Sequence, residues 1–163
     1  MSTDFKLANS AWEALFRAQA TLVREFQLLV SWSDVLPREY GVLHALSVAP
    51  NGLRVMELGD DALLTQAGIS RLVSRLHERG LVDRQNDPAD ARVSRIVLTA
   101  AGRAVQRRVG AELFRHVGEA MSRALDDDQL ETLRDLTQAL LNAAERARQS
   151  EGGTSDIGAE NAP

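Results

Sequence analysis

Between Gln66 and Arg75 two kinds of residue are interleaved. Ile69, Leu72, Val73 and Leu76 recur at spacings of three and four, the pattern of one buried helical face. The residues left between them, Gln66, Ala67, Gly68, Ser70, Arg71, Ser74 and Arg75, are small, hydrogen-bonding or cationic. On the outer face of a helix such side chains can donate to base edges and phosphate oxygens, while the small ones allow a close approach. Gly68 fits either that close approach or an eased helix start, at a cost of up to ~1 kcal/mol relative to alanine. A second candidate set lies in "QNDPADARVSR", residues 85–95, which carries Asp87, Asp90, Arg92 and Arg95 and has no glycine. This loop is either a solvated turn or something that grips a polyanion.

The charge distribution favours a local anion-binding surface. The chain has 163 residues and a formal net charge of −4. Residues 1–64 sum to −3, residues 65–108 to +5 and residues 109–163 to −6. All nine basic residues of the middle segment are arginine, whose fork suits phosphate and guanine. An arginine-rich solvated face is the plainer alternative.

The elements that must position these residues are mostly helical. Hydrophobic residues make up 44% of the chain and aromatics only 4%, a balance that favours packed helices over a β-sandwich. Trp12, Leu15, Phe16, Leu22, Val23, Phe26, Leu29 and Val30 mark an amphipathic helix over about 8–30. Pro37 fits the first turn of a second helix, and "LRVMELG" fits a short third. Thr65 can cap a fourth over about 66–79, with Gly80 where a left-handed C-terminal cap belongs. "VSRIVL" reads as a strand, and Thr99 can cap a helix with the stripe Val105, Val109, Leu113, Val117 and Met121. Asp126, Asp127 and Asp128 open a last helix, and residues 150–163 read as a disordered tail. The predicted fold is mostly α: a winged helix-turn-helix over about 37–98, with "GDDAL" as the turn and a two-stranded β wing. Helices over about 8–30 and 100–148 flank this unit, and the ordered domain spans about 1–149.

These residues as a set resemble the MarR family of bacterial transcriptional regulators. The resemblance runs from "LPREYGVLHAL" through "LLTQAGISRLVSRLHERGLVDRQNDPADARVSRIVLTAAGRA" and covers about Trp12 to Ala144. It rests on "RLVSRLHERGLV" leading into the wing, the pair Asp90 and Arg92, and "LTAAGRA" opening the next helix. The resemblance implies that the flanking helices over about 8–30 and 100–148 form a dimerisation lobe, and that the homodimer binds a pseudo-palindromic double-stranded DNA operator, usually as a repressor. It also implies release by a small, often aromatic or anionic effector bound between the two lobes. DNA contacts then fall to Thr65, Gln66, Ala67, Gly68, Ser70, Arg71, Ser74 and Arg75 on the helix, and to Asp90, Arg92 and Arg95 in the wing. Family members place the wing arginine at the minor groove, with the aspartate orienting it. Ala91 stands where they often carry a second basic residue, so the wing grips less or leans on Arg95.

Trp12, Phe16, Arg17 and His44, with Trp32 and His116, could line an effector pocket; core or dimer seam is the plainer reading. The three histidines have no paired metal-ligand spacing, and no cofactor is expected. With no cysteine, disulfides, thiolate metal sites and a thiol switch are excluded. No stretch approaches the ~18 apolar residues of a membrane span, so a cytoplasmic protein without membrane contact is expected. No nucleophile, base and orienter converge, so an enzyme is not expected. The competing reading is a helical protein–protein interaction module that has lost DNA binding.

Overall fold

The computed structural model describes residues 4–32, 35–62, 66–87 and 94–152. The chain divides into two units, Met1–Gly118 and Glu119–Pro163.

Helix α1, Phe5–Leu29, is capped by Asp4, whose Oδ1 accepts the Lys6 and Leu7 amides at 2.9 and 3.3 Å. None of its residues is buried, and Phe5, Leu7, Trp12 and Phe16 stand exposed. Its apolar stripe therefore follows the helical period but is covered only in part among the described residues, at Leu15, Leu22 and Phe26. Helix α2, Pro37–Ser47, starts on a proline, whose fixed φ suits a first helical position. The Glu39 carboxylate reaches back to accept the Leu36 amide at 2.9 Å, satisfying one of the donors a helix start leaves over.

Strand β1, Leu53–Arg54, precedes α3, Val55–Ala62, and α4 is Gln66–Glu78. The expected third helix thus begins two residues later, with Leu53 and Arg54 in a strand that pairs antiparallel with β3. A two-residue strand has no period of its own, and Leu53 and Arg54 also fit the helical spacing of α3. Strands β2, Val82–Asn86, and β3, Ser94–Leu98, pair antiparallel from Val82 opposite Leu98 to Asn86 opposite Ser94. The sheet is three-stranded, in the order β1-β3-β2, rather than the two-stranded ribbon alone. Gln85, Asn86, Ser94 and Arg95 are consequently strand residues, so the connection is shorter than the eleven-residue loop read from sequence. Ser94 and Arg95 already belong to the strand read from "VSRIVL", whereas polarity disguised Gln85 and Asn86, because β2 buries only Val82 and exposes the rest.

Helix α4 ends in a Schellman motif: the Gly80 amide donates to the His77 carbonyl at 2.8 Å and the Leu81 amide to the Leu76 carbonyl at 2.9 Å. Gly80 adopts φ 67°, which any side chain would oppose. Leu76 and Leu81, the pair this motif brings together, are both buried. Thr99 links the sheet to α5, Ala100–Ser122: its hydroxyl donates to the Gly80 carbonyl at 2.6 Å and accepts the Gly102 amide at 3.0 Å. Gly102 is required because a Cβ there would run into the Leu81 carbonyl. Leu43, Leu58, Ile69, Leu76, Ile96 and Val109 form the centre of the core, so α2 to α5 and the sheet close on one apolar interior.

In the second unit, α6 covers Asp127–Gly152. Asp126 and Gln129 cap it reciprocally, each side chain accepting the other's amide at 2.9–3.0 Å. That geometry accounts for the acidic cluster as a helix start. Leu136, Leu140 and Leu141 are exposed along α6. The helix runs into the first residues of the expected tail, and residues 153–163 lie outside the described ones.

Candidate nucleic-acid interface

Helix α4 is held by one face and presents the other. Ile69, Leu72, Val73 and Leu76 are 3% exposed or less. Ser70, Arg71, Ser74 and Arg75 are exposed and Gly68 half-buried, as their interleaving predicted. Thr65 lies outside the described residues, as do the side chains of Gln66 and Ala67 in the first turn of α4. The far end of α4 is anchored through Arg79, whose Nη1 stands 2.9 Å from Glu39 Oε2. The same buried carboxylate that holds the start of α2 therefore fixes the end of α4.

A second buried carboxylate sits at the base of the wing. The Asp87 side chain is 1% exposed and follows the last residue of β2. Its Oδ2 accepts Arg54 Nη2 at 2.8 Å and Nε at 3.1 Å, from β1, and Arg95 Nε at 3.0 Å, from β3. Arg95 Nη1 also donates to the Gly52 carbonyl at 3.0 Å. One anion thus ties all three strands, and each of the two arginines finds an acceptor that water would otherwise supply. Arg95 sits at the wing's base with its guanidinium engaged there. Asp90, Ala91 and Arg92 lie outside the described residues.

Arg38, Arg71 and Arg75 contrast with these. All three are exposed, and no ion pair reaches them among the described residues. They line one open groove of about 660 Å³ together with Gly68, Ser70, Ser74 and Glu78. Three guanidiniums against one carboxylate, with two hydroxyls between them, make a surface suited to a polyanion.

A separate surface cavity of about 660 Å³, open to solvent, lies between α2 and α5, lined by Tyr40, His44, Gln106, Arg107, Leu113 and Phe114 among others. Burial pushes the Tyr40 phenol above its ordinary pKa, partly offset by the Gln106 side chain bonded to it. The phenol is therefore a neutral donor at neutral pH. Of the pocket residues expected from sequence, His44 is here, with its ring 6.0 Å from that of Tyr40. Trp12 and Phe16 instead stack on each other on the exposed side of α1, with centroids 6.3 Å apart, and Arg17 is exposed on the same helix. Trp32 packs edge-on against Tyr40 at 6.0 Å, and His116 is buried with Nε2 3.0 Å from Arg115 Nη2. Sequence reasoning missed Arg38, Tyr40, Gln106 and Arg107. The four-residue spacing of Tyr40 and His44 was a readable signal of one shared helical face, whereas nothing in sequence joins α2 to Gln106.

Residues 33–93 match the MarR family model. The crystal structure of the PcaV transcriptional regulator from Streptomyces coelicolor, in complex with its natural ligand, is 31% identical at a TM-score of 0.67. That similarity covers 88% of this chain and 99% of PcaV. Sco3205, a MarR family transcriptional regulator from the same organism, solved in complex with DNA, is 25% identical at a TM-score of 0.72, over 88% of this chain and 91% of Sco3205. The transcriptional regulator HosA of Escherichia coli O111:H- is 29% identical over 110 residues, 68% of this chain and 80% of HosA. The winged helix carrying an outward cationic face on α4, and this similarity along nearly the whole of PcaV, lead to one assignment: the chain belongs to the MarR family of transcriptional regulators.

Proposed function

We propose that the protein is a homodimeric, sequence-specific DNA-binding regulator that represses nearby genes and that a small aromatic or anionic ligand releases from its operator. The observation that carries this is the outer face of α4, where Arg71 and Arg75 stand unpaired among the described residues on a helix fixed by four buried side chains. A helix of that kind fits the major groove, with Gln66, Ala67, Ser70 and Arg71 reaching base edges. Arg92, oriented by Asp90, holds the neighbouring minor groove, where a narrow, electronegative channel attracts arginine. The role is regulatory rather than catalytic and belongs to the cytoplasm; no helix among the described residues is long and apolar enough to cross a membrane.

A second copy is the natural cover for the exposed apolar residues of α1, Phe5, Leu7, Trp12 and Phe16, and, on the other unit, for Leu136, Leu140 and Leu141 of α6. The two α4 helices of such a dimer would read half-sites about 34–36 Å apart. The α2–α5 cavity is the proposed ligand site, where Tyr40, Gln106, His44 and Arg107 would meet polar or anionic groups and Leu113 and Phe114 an aromatic ring. That Sco3205 was solved with DNA and PcaV with a natural ligand supports both halves of the reading.

The test is a mobility-shift titration on duplexes that the protein itself selects from a random-sequence pool. If about 6–10 phosphates are neutralised, affinity falls by roughly 10³–10⁵ between 50 and 200 mM salt. Binding that ignores salt would remove the proposal. Benzoate-class acids added to the complex should displace the DNA, and should fail to do so with Arg107→Ala.

A further inference from the structure

We infer that Arg38 is a DNA-phosphate contact, a cationic arm on α2 that meets the backbone beside the groove entered by α4. This rests on reading α4 as the base-reading helix, and it adds a residue from a different helix to that face.

Three observations converge on it. Arg38 lines the same open groove as Gly68, Ser70, Arg71, Ser74 and Arg75, although it belongs to α2 and they belong to α4. Its guanidinium is exposed and takes no ion pair among the described residues, Glu78 in the same groove included. Its backbone is rigidly mounted: Pro37 before it fixes the first turn of α2, and Glu39 after it is buried against Arg79. Of these neighbours, Glu39 is buried in the joint between α2 and α4, while Arg38 is exposed along the groove.

Phosphate is the chemistry this placement selects. A helix with its side chains is about 10–12 Å across and the major groove about 12 Å wide, so a seated helix fills it and whatever flanks the helix meets the phosphate walls. The Glu39–Arg79 bond places the start of α2 against the C-terminal end of α4, whereas base edges are reached from a recognition helix's N-terminal residues. Arg38 therefore flanks α4 away from its base-reading end. A guanidinium offers a phosphate two parallel donors, and an unpaired one need not break an existing bond to do so.

The experiment compares the parent with Arg38→Ala, Arg38→Gln and Arg38→Lys on duplexes the parent selects from a random-sequence pool, across a salt series. Each phosphate contact contributes about 0.9 to the slope of log affinity against log salt, so losing one per protomer lowers the slope by about 1.8 in a dimer. Arg38→Ala and Arg38→Gln should both show that loss with the preferred bases unchanged, and Arg38→Lys should retain the slope. A steep parental slope left intact by both neutral variants overturns the assignment while leaving the reading of α4 standing. A change of preferred base in place of a change of slope overturns the phosphate contact. A parent that selects no duplex overturns the reading of α4 and this inference with it.

Discussion

The wing base and the α4 face are both built with arginine, and they use it in opposite ways. Arg54 and Arg95 lie against Asp87, and Arg79 against Glu39, two carboxylates whose side chains are 1% and 4% exposed. A buried carboxylate without compensation is costly, so these arginines are committed to holding it, and through it the elements it joins. Arg71 and Arg75 on α4, and Arg38 beside them, have no such partner among the described residues and stay in solvent. What separates the two groups is the burial of the acid they face. Charge counting alone therefore misleads: the +5 of residues 65–108 overstates the field offered to DNA, because Arg79 within it is paired with Glu39 from outside the segment, while the Asp87 that holds Arg95 is already counted in the total. The cationic surface is narrower and more sharply placed than the segment total.

The sharpest way to break this comparison is Asp87→Ala. Removing one partner of a buried ion pair typically costs about 3–5 kcal/mol. Here the lower part of that range is expected, since Arg54, at 42% exposed, can turn its guanidinium to water. Urea denaturation at fixed protein concentration reads it, concentration being held because a dimer's stability depends on it. A loss under ~1 kcal/mol, the worth of an exposed pair, would put Asp87 in the same class as surface acids. Glu39→Ala comes next, at about 2–3 kcal/mol, because it removes both the Arg79 bond and the acceptor of the Leu36 amide. Glu39→Gln keeps an oxygen for that amide and should recover about 1 kcal/mol of the loss, roughly the worth of one helix cap. Equal losses in the two variants would mean that the ion pair alone matters.

The exposed face of α4 was legible in the sequence because a helix writes its buried side at spacings of three and four, leaving Ser70, Arg71, Ser74 and Arg75 by subtraction. Gly80 and Thr99 were legible for a similar reason: caps are local, and the residue type states the backbone requirement. The partners of the arginines were not. Asp87 stands eight residues from Arg95 but 33 from Arg54, and Glu39 stands 40 from Arg79. Only the tertiary fold brings them together, so Arg95 read as a wing cation available to DNA, and Glu39 drew no reading at all. The α2–α5 cavity failed to show for the same reason, with Tyr40 and Gln106 joined across sixty-six positions of sequence. Trp12 and Phe16 stand exposed on α1, outside the α2–α5 cavity, where the seam reading of an apolar stripe applies as well as the pocket reading.

On the other side of the comparison, Arg71→Ala should cost about 1–3 kcal/mol of DNA binding and relax base preference at one position per half-site, the signature of a lost forked contact to a base. Competition between selected duplexes and their single-base variants measures it. A uniform loss across variants would move Arg71 from reading bases to holding phosphate. The smallest effect is the most discriminating: Arg71→Ala and Arg75→Ala should each leave folding stability within about 0.5 kcal/mol, as surface changes away from structural contacts do. Both side chains are exposed and unpaired among the described residues, so truncation removes neither packing nor an acid's partner. Removing a positive charge from a cluster of three lining one groove can even raise stability slightly, by relieving their mutual repulsion. Either variant losing as much stability as Glu39→Ala would show that the α4 arginines also hold the fold together, and the division of the chain's arginines into structural and offered would collapse.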